Sequence, residues 1–291
     1  MKLGLGTVQF GLDYGISNTS GKTSLEEVRK ILSLAKKSGI RLLDTAAAYG
    51  ESESILGNTI ESASDFRIVT KVKGNHDVQS NDTSISIVQQ SLDKLRVTSL
   101  YGCLFHSVDD LLNKDGESYY KKVHKLKEDG IIQKIGVSIY NSKEIDSLLS
   151  NFDFDIVQIP INIFDQRLIQ SGHLSLLKKR NIEIHARSIF LQGLMFLDAS
   201  KLDTFFNTAK PSIIRLNEHA ALNNLTISQI ALGFVKNLSE IDTMLMGVNT
   251  VEQLTRNIND YNYSIDNCFD YSAFAISEES ILNPSKWPKR R

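Results

Sequence analysis

Short apolar runs alternate with longer amphipathic segments along this sequence, and that alternation constrains the fold more than any other feature. Strands that are buried on both faces, as in parallel sheets, read as continuous apolar stretches of this length. Residues 3–7 fit either one more strand or a short N-terminal β-hairpin. The other predicted strands are residues 40–43, 68–71, 100–105, 135–137, 156–159, 182–186 and 244–246.

The segments between these runs carry the periodicity of helices. Apolar residues recur at helical spacing between residues 25 and 35, directly after Ser24, which has the spacing of a capping box with Glu27. Thr226 and Thr250 are each followed three residues later by glutamine, which predicts two further helix starts.

Strands that alternate with helices of this length predict a parallel sheet. Eight such units in 291 residues fit one (β/α)8 TIM barrel. A doubly wound sheet is the main alternative, but Gly4 and Gly6 are not followed by the rest of a dinucleotide-binding fingerprint. We therefore predict an α/β fold with a single barrel domain over residues 1–291, whose C-terminal tail from about residue 264 covers the barrel or is partly disordered.

Composition limits the cellular setting. A formal net charge of −1 gives no electrostatic reason to bind nucleic acid or an anionic membrane. No apolar run has the length of a membrane helix, and the N-terminus lacks the apolar stretch of a signal peptide. The two cysteines and the histidines lack metal-ligand or disulfide spacing. We expect a cytoplasmic protein without a metal site, as a monomer or small homo-oligomer.

Polar residues stand where the predicted strands end. Asp44, Lys71, His106, Ser138 and Ser188 each close or directly follow an apolar run. Each alone is compatible with a structural role, such as a helix cap or a core histidine. In a (β/α)8 barrel, however, all strand ends meet at one mouth, and ionisable groups buried there need one another as partners. Together these residues predict an active site.

This set of residue types suits the reduction of a carbonyl group. Tyr49, just after the first of these strand ends, can donate a proton to the carbonyl oxygen. An adjacent ammonium group stabilises the phenolate that remains, which Lys71 would provide while Asp44 holds Lys71 in place. His106 would orient the carbonyl oxygen by a hydrogen bond. The hydride would come from a cofactor.

Several collinear segments resemble the aldo-keto reductase family, over residues 1–260 or so. Residues 43–50, LDTAAAYG, with Glu53, resemble the family signature D-T-A-x-x-Y-G-x-S/N-E. Other matching segments are IVTK at 68–71, LFH at 104–106, GVS at 136–138, QIPIN at 158–162 and GVNT at 247–250 with EQL at 252–254 and Asn257.

The resemblance implies reduction of an aldehyde or ketone, a small-molecule substrate, by NADPH, with NADH also possible. Tyr49 would be the proton donor, tuned by Lys71 and Asp44, and His106 would position the carbonyl. Ser138 and Gln158 would hold the nicotinamide carboxamide. The other implied cofactor contacts are Arg187 at the nicotinamide, Ser188, Leu191 and Gly193 along the pyrophosphate, and Gly247, Val248, Asn249, Thr250, Gln253, Arg256 and Asn257 at the adenosine end. Thr250 would begin a helix whose N-terminus can bind a phosphate.

This sequence departs from the family pattern at three places. Ile139 replaces the asparagine that usually follows the serine of the fifth strand, and Arg187 stands where an aromatic residue often stacks on the nicotinamide. The usual basic residues near a 2′-phosphate are missing at Gly247 and Gln253, and Arg256 is the one cation close by.

Other functions remain open at this point. Residues 6–11, GTVQFG, resemble reductases of sugar and surface-polysaccharide pathways, which favours a sugar or nucleotide-sugar carbonyl. The loop that contains Phe10 and Tyr14, together with Trp287, would line or cover the substrate pocket. An NADPH-binding regulatory subunit with little turnover would retain the same residues. A metal-dependent barrel, such as a sugar isomerase, would need a third carboxylate that we do not find near Asp44 and His106.

Overall fold

Eight parallel strands close into a barrel in sequence order, and β1 is hydrogen-bonded to β8. The computed structural model describes residues 2–73, 83–265 and 270–288. The strands are β1 (Leu3–Gly6), β2 (Leu42–Asp44), β3 (Arg67–Val72), β4 (Leu100–Phe105), β5 (Ile132–Ser138), β6 (Ile156–Pro160), β7 (Glu183–Arg187) and β8 (Thr243–Gly247). The helices are α1 (Val8–Gly11), α2 (Leu25–Lys37), α3 (Ser52–Thr59), α4 (Thr83–Leu95), α5 (Asp109–Leu112), α6 (Gly116–Glu128), α7 (Ser142–Leu149), α8 (Arg167–Gln170), α9 (His173–Lys179), α10 (Lys210–Leu222), α11 (Ile227–Lys236), α12 (Val251–Asn262) and α13 (Glu279–Leu282).

This architecture confirms the predicted (β/α)8 barrel and rules out a doubly wound sheet. The alternative of an N-terminal hairpin was wrong, because Leu3–Gly6 pairs in parallel with both β2 and β8. The first strand is needed to close the barrel, and Leu3 and Leu5 are buried against the surrounding helices. Residues 74–82, which contain His76, lie outside the described residues, as do residues 266–269 with Cys268.

The helix signals correspond to the observed helices. The Ser24 hydroxyl accepts a hydrogen bond from the Glu27 amide at the start of α2, and Val28, Ile31, Leu32 and Ala35 form its buried face. Thr226 and Gln229 form a reciprocal capping box at the start of α11. Side-chain caps of this kind satisfy amides that the first helical turn leaves without a backbone partner.

The C-terminal segment returns across the barrel. The Ile276 amide donates to the Phe164 carbonyl at 2.8 Å, and the Trp287 ring packs edge-on against Phe206 with centroids 5.1 Å apart. Pro284 and Ser285 thereby reach the cavity at the mouth of the barrel. Residues 289–291, at the end of the C-terminal tail, lie outside the described residues.

The barrel interior is layered because side chains alternate along each strand. Its centre is apolar and consists of Leu42, Val69, Leu104, Ile156 and Leu245. At the amino ends of the strands, polar side chains from β4, β5 and β7 form a partly buried cluster. In the β6–β7 register Glu183 pairs with Ile156 of this apolar layer and His185 pairs with Gln158.

Glu183 is the centre of the amino-end cluster. Its carboxylate accepts from the Tyr101 hydroxyl at 2.8 Å, lies 2.7 Å from Nε2 of His185, and forms an ion pair with Lys134. Burial acts to raise the pKa of Glu183, but the hydrogen bonds from His185 and Lys134 outweigh it and lower the pKa to about 2. The ionised carboxylate is therefore stabilised by the folded state.

We expect Glu183→Gln to destabilise the barrel at pH 7 by about 2–3 kcal/mol, somewhat below the cost of breaking a fully buried ion pair because Lys134 is partly exposed. A lowered carboxyl pKa contributes stability above the ordinary value near 4.5, and this contribution is lost as the pH falls toward about 2. Urea unfolding at pH 7 and pH 3.5 measures this effect. The difference in the free energy of unfolding between the parent and Glu183→Gln should be smaller at pH 3.5 than at pH 7. Glu117→Gln, which breaks an exposed pair with Lys121, is the control and should leave stability unchanged. Equal stability of Glu183→Gln and the parent at pH 7 would contradict this.

Candidate active site

A cavity of about 620 Å³ opens at the carboxyl ends of the strands. Its floor consists of strand-end residues from around the barrel, which agrees with the position of active sites in this architecture. The four predicted catalytic residues all line it: Asp44, Tyr49, Lys71 and His106.

The centre of the cavity floor is a buried ion pair. Lys71 Nζ lies 2.5 Å from Asp44 Oδ1, and it also donates to the Thr45 carbonyl at 3.1 Å and to the Tyr49 hydroxyl at 3.3 Å. The other carboxylate oxygen of Asp44 accepts from Gln158 Nε2 at 2.7 Å. A continuous chain of hydrogen bonds therefore joins Gln158, Asp44, Lys71 and Tyr49.

Local backbone structure places Tyr49 over this pair. The Ala47 amide donates to the Lys71 carbonyl at 3.0 Å, and the Tyr49 amide closes a turn onto Ala46. Gly11 packs against this turn so closely that a Cβ at that position would lie 1.8 Å from the Tyr49 carbonyl oxygen. Only glycine permits this approach, so the loop after β1 helps to fix the phenol.

Lys71 remains an ammonium group despite its burial. Burial acts to lower the pKa of Lys71, but the charge of Asp44 and the hydrogen bonds to Asp44 and Tyr49 outweigh burial and raise it. The Tyr49 oxygen accepts from this ammonium group, so the phenol proton is free to point into the cavity.

His106 stands beside Tyr49 as a neutral ring. The two rings meet edge to face with centroids 5.8 Å apart. Burial, followed by the charge of Lys71, lowers the pKa of His106 to about 4. Its Nδ1 is buried and has no hydrogen-bond partner within the described part of the chain. A neutral imidazole at this place can hydrogen-bond to a substrate oxygen without adding charge.

Most of the predicted cofactor residues also line the cavity. They are Ser138, Gln158, Arg187, Ser188, Gly193, Gly247, Asn249, Gln253, Arg256 and Asn257. Leu191, Val248 and Thr250 are not among the lining residues, and the first two side chains belong to the apolar core.

Two amides at the start of α12 already have hydrogen-bond partners within the protein. The Thr250 hydroxyl accepts from the Gln253 amide at 3.2 Å, and the carboxylate of Glu27 accepts from the Val251 amide at 2.5 Å. A carboxylate thus lies where the sequence analysis placed a phosphate. Thr250 acts in this structure as a helix cap.

The deepest part of the cavity offers an unsatisfied acceptor. Gln158 is fully buried, and its Oε1 has no partner in the described residues, although its Nε2 is held by Asp44. Ser138 pairs with Gln158 in the β5–β6 register and lies beside it on the cavity wall. A carboxamide supplies the donor that Gln158 lacks and an acceptor for Ser138, so these residues fit a nicotinamide. Ile139, in place of the family's asparagine, is wholly buried.

The loop after β7 is strained. Ser188, Leu191, Gln192 and Gly193 all have φ between +45° and +88°. Such conformations persist where surrounding contacts enforce them, often at ligand sites. The contacts here come from the loop after β1, since the Ile16 amide donates to the Gln192 carbonyl at 3.0 Å.

Sequence reasoning missed part of the cavity wall. Tyr14 lines it as proposed, but Phe10 is fully buried elsewhere and Trp287 is not among the lining residues. Tyr140, Phe190 and Phe196 also line it, together with Gln9, whose Oε1 is buried without a partner in the described residues. Tyr140 stands two residues after Ser138, and that spacing is the one signal that could have identified it.

The described residues contain neither a membrane-spanning helix nor a cluster of metal ligands. No helix is long and apolar enough to cross a membrane. No three His, Cys, Asp or Glu side chains of the described chain converge as a ligand set for a metal ion.

The model of the Aldo/keto reductase family matches residues 2–268. The chain belongs to this family. Relatives include glyoxal reductase of Bacillus subtilis (strain 168), 28% identical over 169 residues that are 57% of this chain and 59% of the relative. The NADH-specific methylglyoxal reductase of Escherichia coli (strain K12) is 24% identical over 79% of this chain and 81% of its own.

Structural comparison agrees on the fold. The apo form of aldo-keto reductase AKR11C1 from Bacillus halodurans superposes with a TM-score of 0.74 at 18% identity, over 92% of this chain and 88% of that one. The chain covers little more than half the length of two Bacillus subtilis relatives, glyoxal reductase at 59% and aldo-keto reductase YhdN at 53%.

The lowered pKa of His106 predicts the pH dependence of this site. Since His106 takes up a proton only as the pH falls through about 4, kcat/KM for a carbonyl substrate should show no histidine transition near pH 6.5. His106→Asn, which keeps a neutral donor, should retain the same profile between pH 5.5 and 7.5 at a lower rate. A transition near 6.5 that disappears in His106→Asn would show that the ring titrates normally.

Proposed function

We propose that this protein reduces an aldehyde or ketone with a dihydronicotinamide cofactor, with Tyr49 as the proton donor. The observation that carries the proposal is the hydrogen-bond chain from Gln158 through Asp44 and Lys71 to Tyr49 on the cavity floor. One end of this chain is an acceptor that lacks a donor, and the other end is a phenol held by an ammonium group. The Gln158 end suits a carboxamide, and the Tyr49 end suits a carbonyl oxygen.

The residues divide the chemistry between them. When bound, the dihydronicotinamide supplies a hydride to the carbonyl carbon. Tyr49 donates its proton to the carbonyl oxygen, and Lys71 stabilises the phenolate that remains. Asp44 keeps Lys71 charged and directed toward the phenol, and His106 holds the same substrate oxygen by a hydrogen bond.

We assign the cofactor to the cavity wall that runs from β5 to β8. Ser138 and Gln158 hold the carboxamide, and Arg187 lies against the nicotinamide ring. Ser188 and Gly193 in the loop after β7 follow the pyrophosphate. The adenosine end meets Gly247, Asn249, Gln253, Arg256 and Asn257, which line the cavity, whereas Leu191, Val248 and Thr250 do not.

Arg256 favours NADPH over NADH in this proposal. Its guanidinium lines the cavity and makes no ion pair with the described residues, so it is free for a 2′-phosphate. The neighbouring lining residues Asn249, Gln253 and Asn257 are neutral, which leaves NADH as a possible second cofactor. The relative from Escherichia coli is NADH-specific by name.

Tyr49→Phe tests the reaction directly. It removes the proton donor and leaves the ring in place, so turnover should fall by at least about a thousandfold, while NADPH binding stays within about twofold of the parent. Steady-state rates and a fluorescence titration measure these two effects. Tyr101→Phe, which alters a partly buried tyrosine at the other end of the barrel, serves as the control for the loss of a hydroxyl group and should keep its turnover. Near-parental turnover of Tyr49→Phe would exclude Tyr49 as the donor.

The substrate that we propose is a sugar or nucleotide-sugar carbonyl. Tyr14, Tyr140, Phe190 and Phe196 line the cavity and offer aromatic faces to a ring larger than a simple aldehyde. The relatives named glyoxal reductase and methylglyoxal reductase act on small dicarbonyls by their names, so these compounds are the natural comparison.

A panel of keto-sugars, nucleotide-linked keto-sugars, glyoxal and methylglyoxal decides between these substrates. We expect the highest kcat/KM on a sugar carbonyl. In Phe196→Ala, kcat/KM for that sugar should fall more than kcat/KM for methylglyoxal. Higher kcat/KM on methylglyoxal than on every sugar would contradict the sugar proposal and leave the reductase proposal standing. Turnover below about 1 s⁻¹ on every carbonyl, with intact NADPH binding, would favour the regulatory subunit instead.

A further inference from the structure

Arg187 places an uncompensated positive charge in the cavity. It is the last residue of β7, and its Nη2 donates to the Ile139 carbonyl at 3.0 Å. Its guanidinium carbon lies 4.3 Å from the centroid of the Tyr140 ring, and its Nε is buried without a partner in the described residues. It forms no ion pair with any carboxylate of the described chain. Neutral carbonyl and hydroxyl acceptors therefore hold it in place.

The other charges of the cavity floor balance each other. Asp44 is the one carboxylate among the described residues that line the cavity, and both of its oxygens are engaged, by Lys71 and by Gln158. The positive charge of Lys71 is thus neutralised at contact distance, whereas that of Arg187 is not.

Arg187 also lies next to the place where the nicotinamide carboxamide fits. The peptide oxygen that it contacts belongs to Ile139, the residue that follows Ser138, and the Ile139 amide donates to the Gln158 carbonyl at 2.9 Å. The unsatisfied Oε1 of Gln158 and the hydroxyl of Ser138 mark the carboxamide position. Arg187, Ser138, Gln158 and Tyr49 line the same cavity, so a ring that carries this carboxamide and also faces Tyr49 would share that cavity with the guanidinium.

We propose that Arg187 makes the site bind the reduced cofactor more tightly than the oxidised one. This inference rests on the proposed function. In the reduction, the electron pair of the ring C–H bond leaves with the hydride and forms the new bond at the carbonyl carbon, while the Tyr49 proton goes to the oxygen. The ring thereby gains a positive charge, and a fixed cation nearby repels it in a cavity whose effective dielectric constant is far below that of water.

This repulsion has a consequence for turnover. The oxidised cofactor dissociates more readily than it would beside a neutral or aromatic residue, so the enzyme reloads with NADPH. In the direction of alcohol oxidation, the same preference makes NADPH a strong product inhibitor. Arg187 is then a residue that determines redox-state specificity in addition to contacting the ring.

Dissociation constants for NADPH and NADP⁺, measured by calorimetry in the absence of substrate, test this directly. In the parent protein the constant for NADP⁺ should exceed that for NADPH by at least about tenfold, which corresponds to 1.4 kcal/mol. In Arg187→Gln the two constants should approach each other. Arg187→Lys keeps the charge and should keep the ratio. Arg256→Gln, which removes a cation at the adenosine end, should weaken the binding of NADPH and NADP⁺ equally.

Three results would overturn the inference. Equal affinity of the parent for both forms is the first. An equal loss of affinity for both forms in Arg187→Gln is the second, because it would mean that Arg187 binds a phosphate group. The third is a change in the ratio of the NADP⁺ and NADPH dissociation constants in Arg187→Lys, when this variant has the same thermal unfolding as the parent. Binding of neither cofactor form by the folded parent would instead refute the proposed function itself, so the two failures can be told apart.

Discussion

The ion pair between Lys71 and Asp44 is the interaction on which the site depends. Both side chains are almost fully buried, at 2% and 4% exposure, where charges are unfavourable unless their remaining donors and acceptors are also satisfied. The Thr45 carbonyl, Tyr49 and Gln158 satisfy them, so the requirements of one buried pair align residues from β2, β3, β6 and the loop after β2. The Tyr49 phenol and the Gln158 side chain are thus positioned by the same interaction.

The mouth and the amino-end cluster are connected by the same strands. Along β3 alternate positions share one face, so Arg67 lies at the amino end, Val69 in the apolar layer and Lys71 at the mouth. The cluster around Glu183 ties β4, β5 and β7 together at the amino ends. Arg187 lies at the opposite end of β7 and lines the mouth.

The sequence predicted the strands and the convergence of Asp44, Tyr49, Lys71 and His106 on one cavity because both signals are local. An apolar run shows where a strand lies, and the polar residue that ends it must face the mouth, as Asp44, Lys71 and His106 do. Loop contacts are not local in this sense. Glu27 accepts from the Val251 amide across 224 residues of chain, and no spacing predicts that a carboxylate blocks the start of α12. The aromatic wall of Phe190 and Phe196 likewise depends on the course of a strained loop.

A crystal structure of the protein with NADP⁺ tests the account most directly. The account predicts that the carboxamide nitrogen lies within hydrogen-bond distance of Gln158 Oε1, that the reactive ring carbon faces the Tyr49 hydroxyl, and that the ring lies against the Arg187 guanidinium. A nicotinamide bound outside this cavity, or one whose carboxamide leaves Gln158 Oε1 unsatisfied, would contradict it.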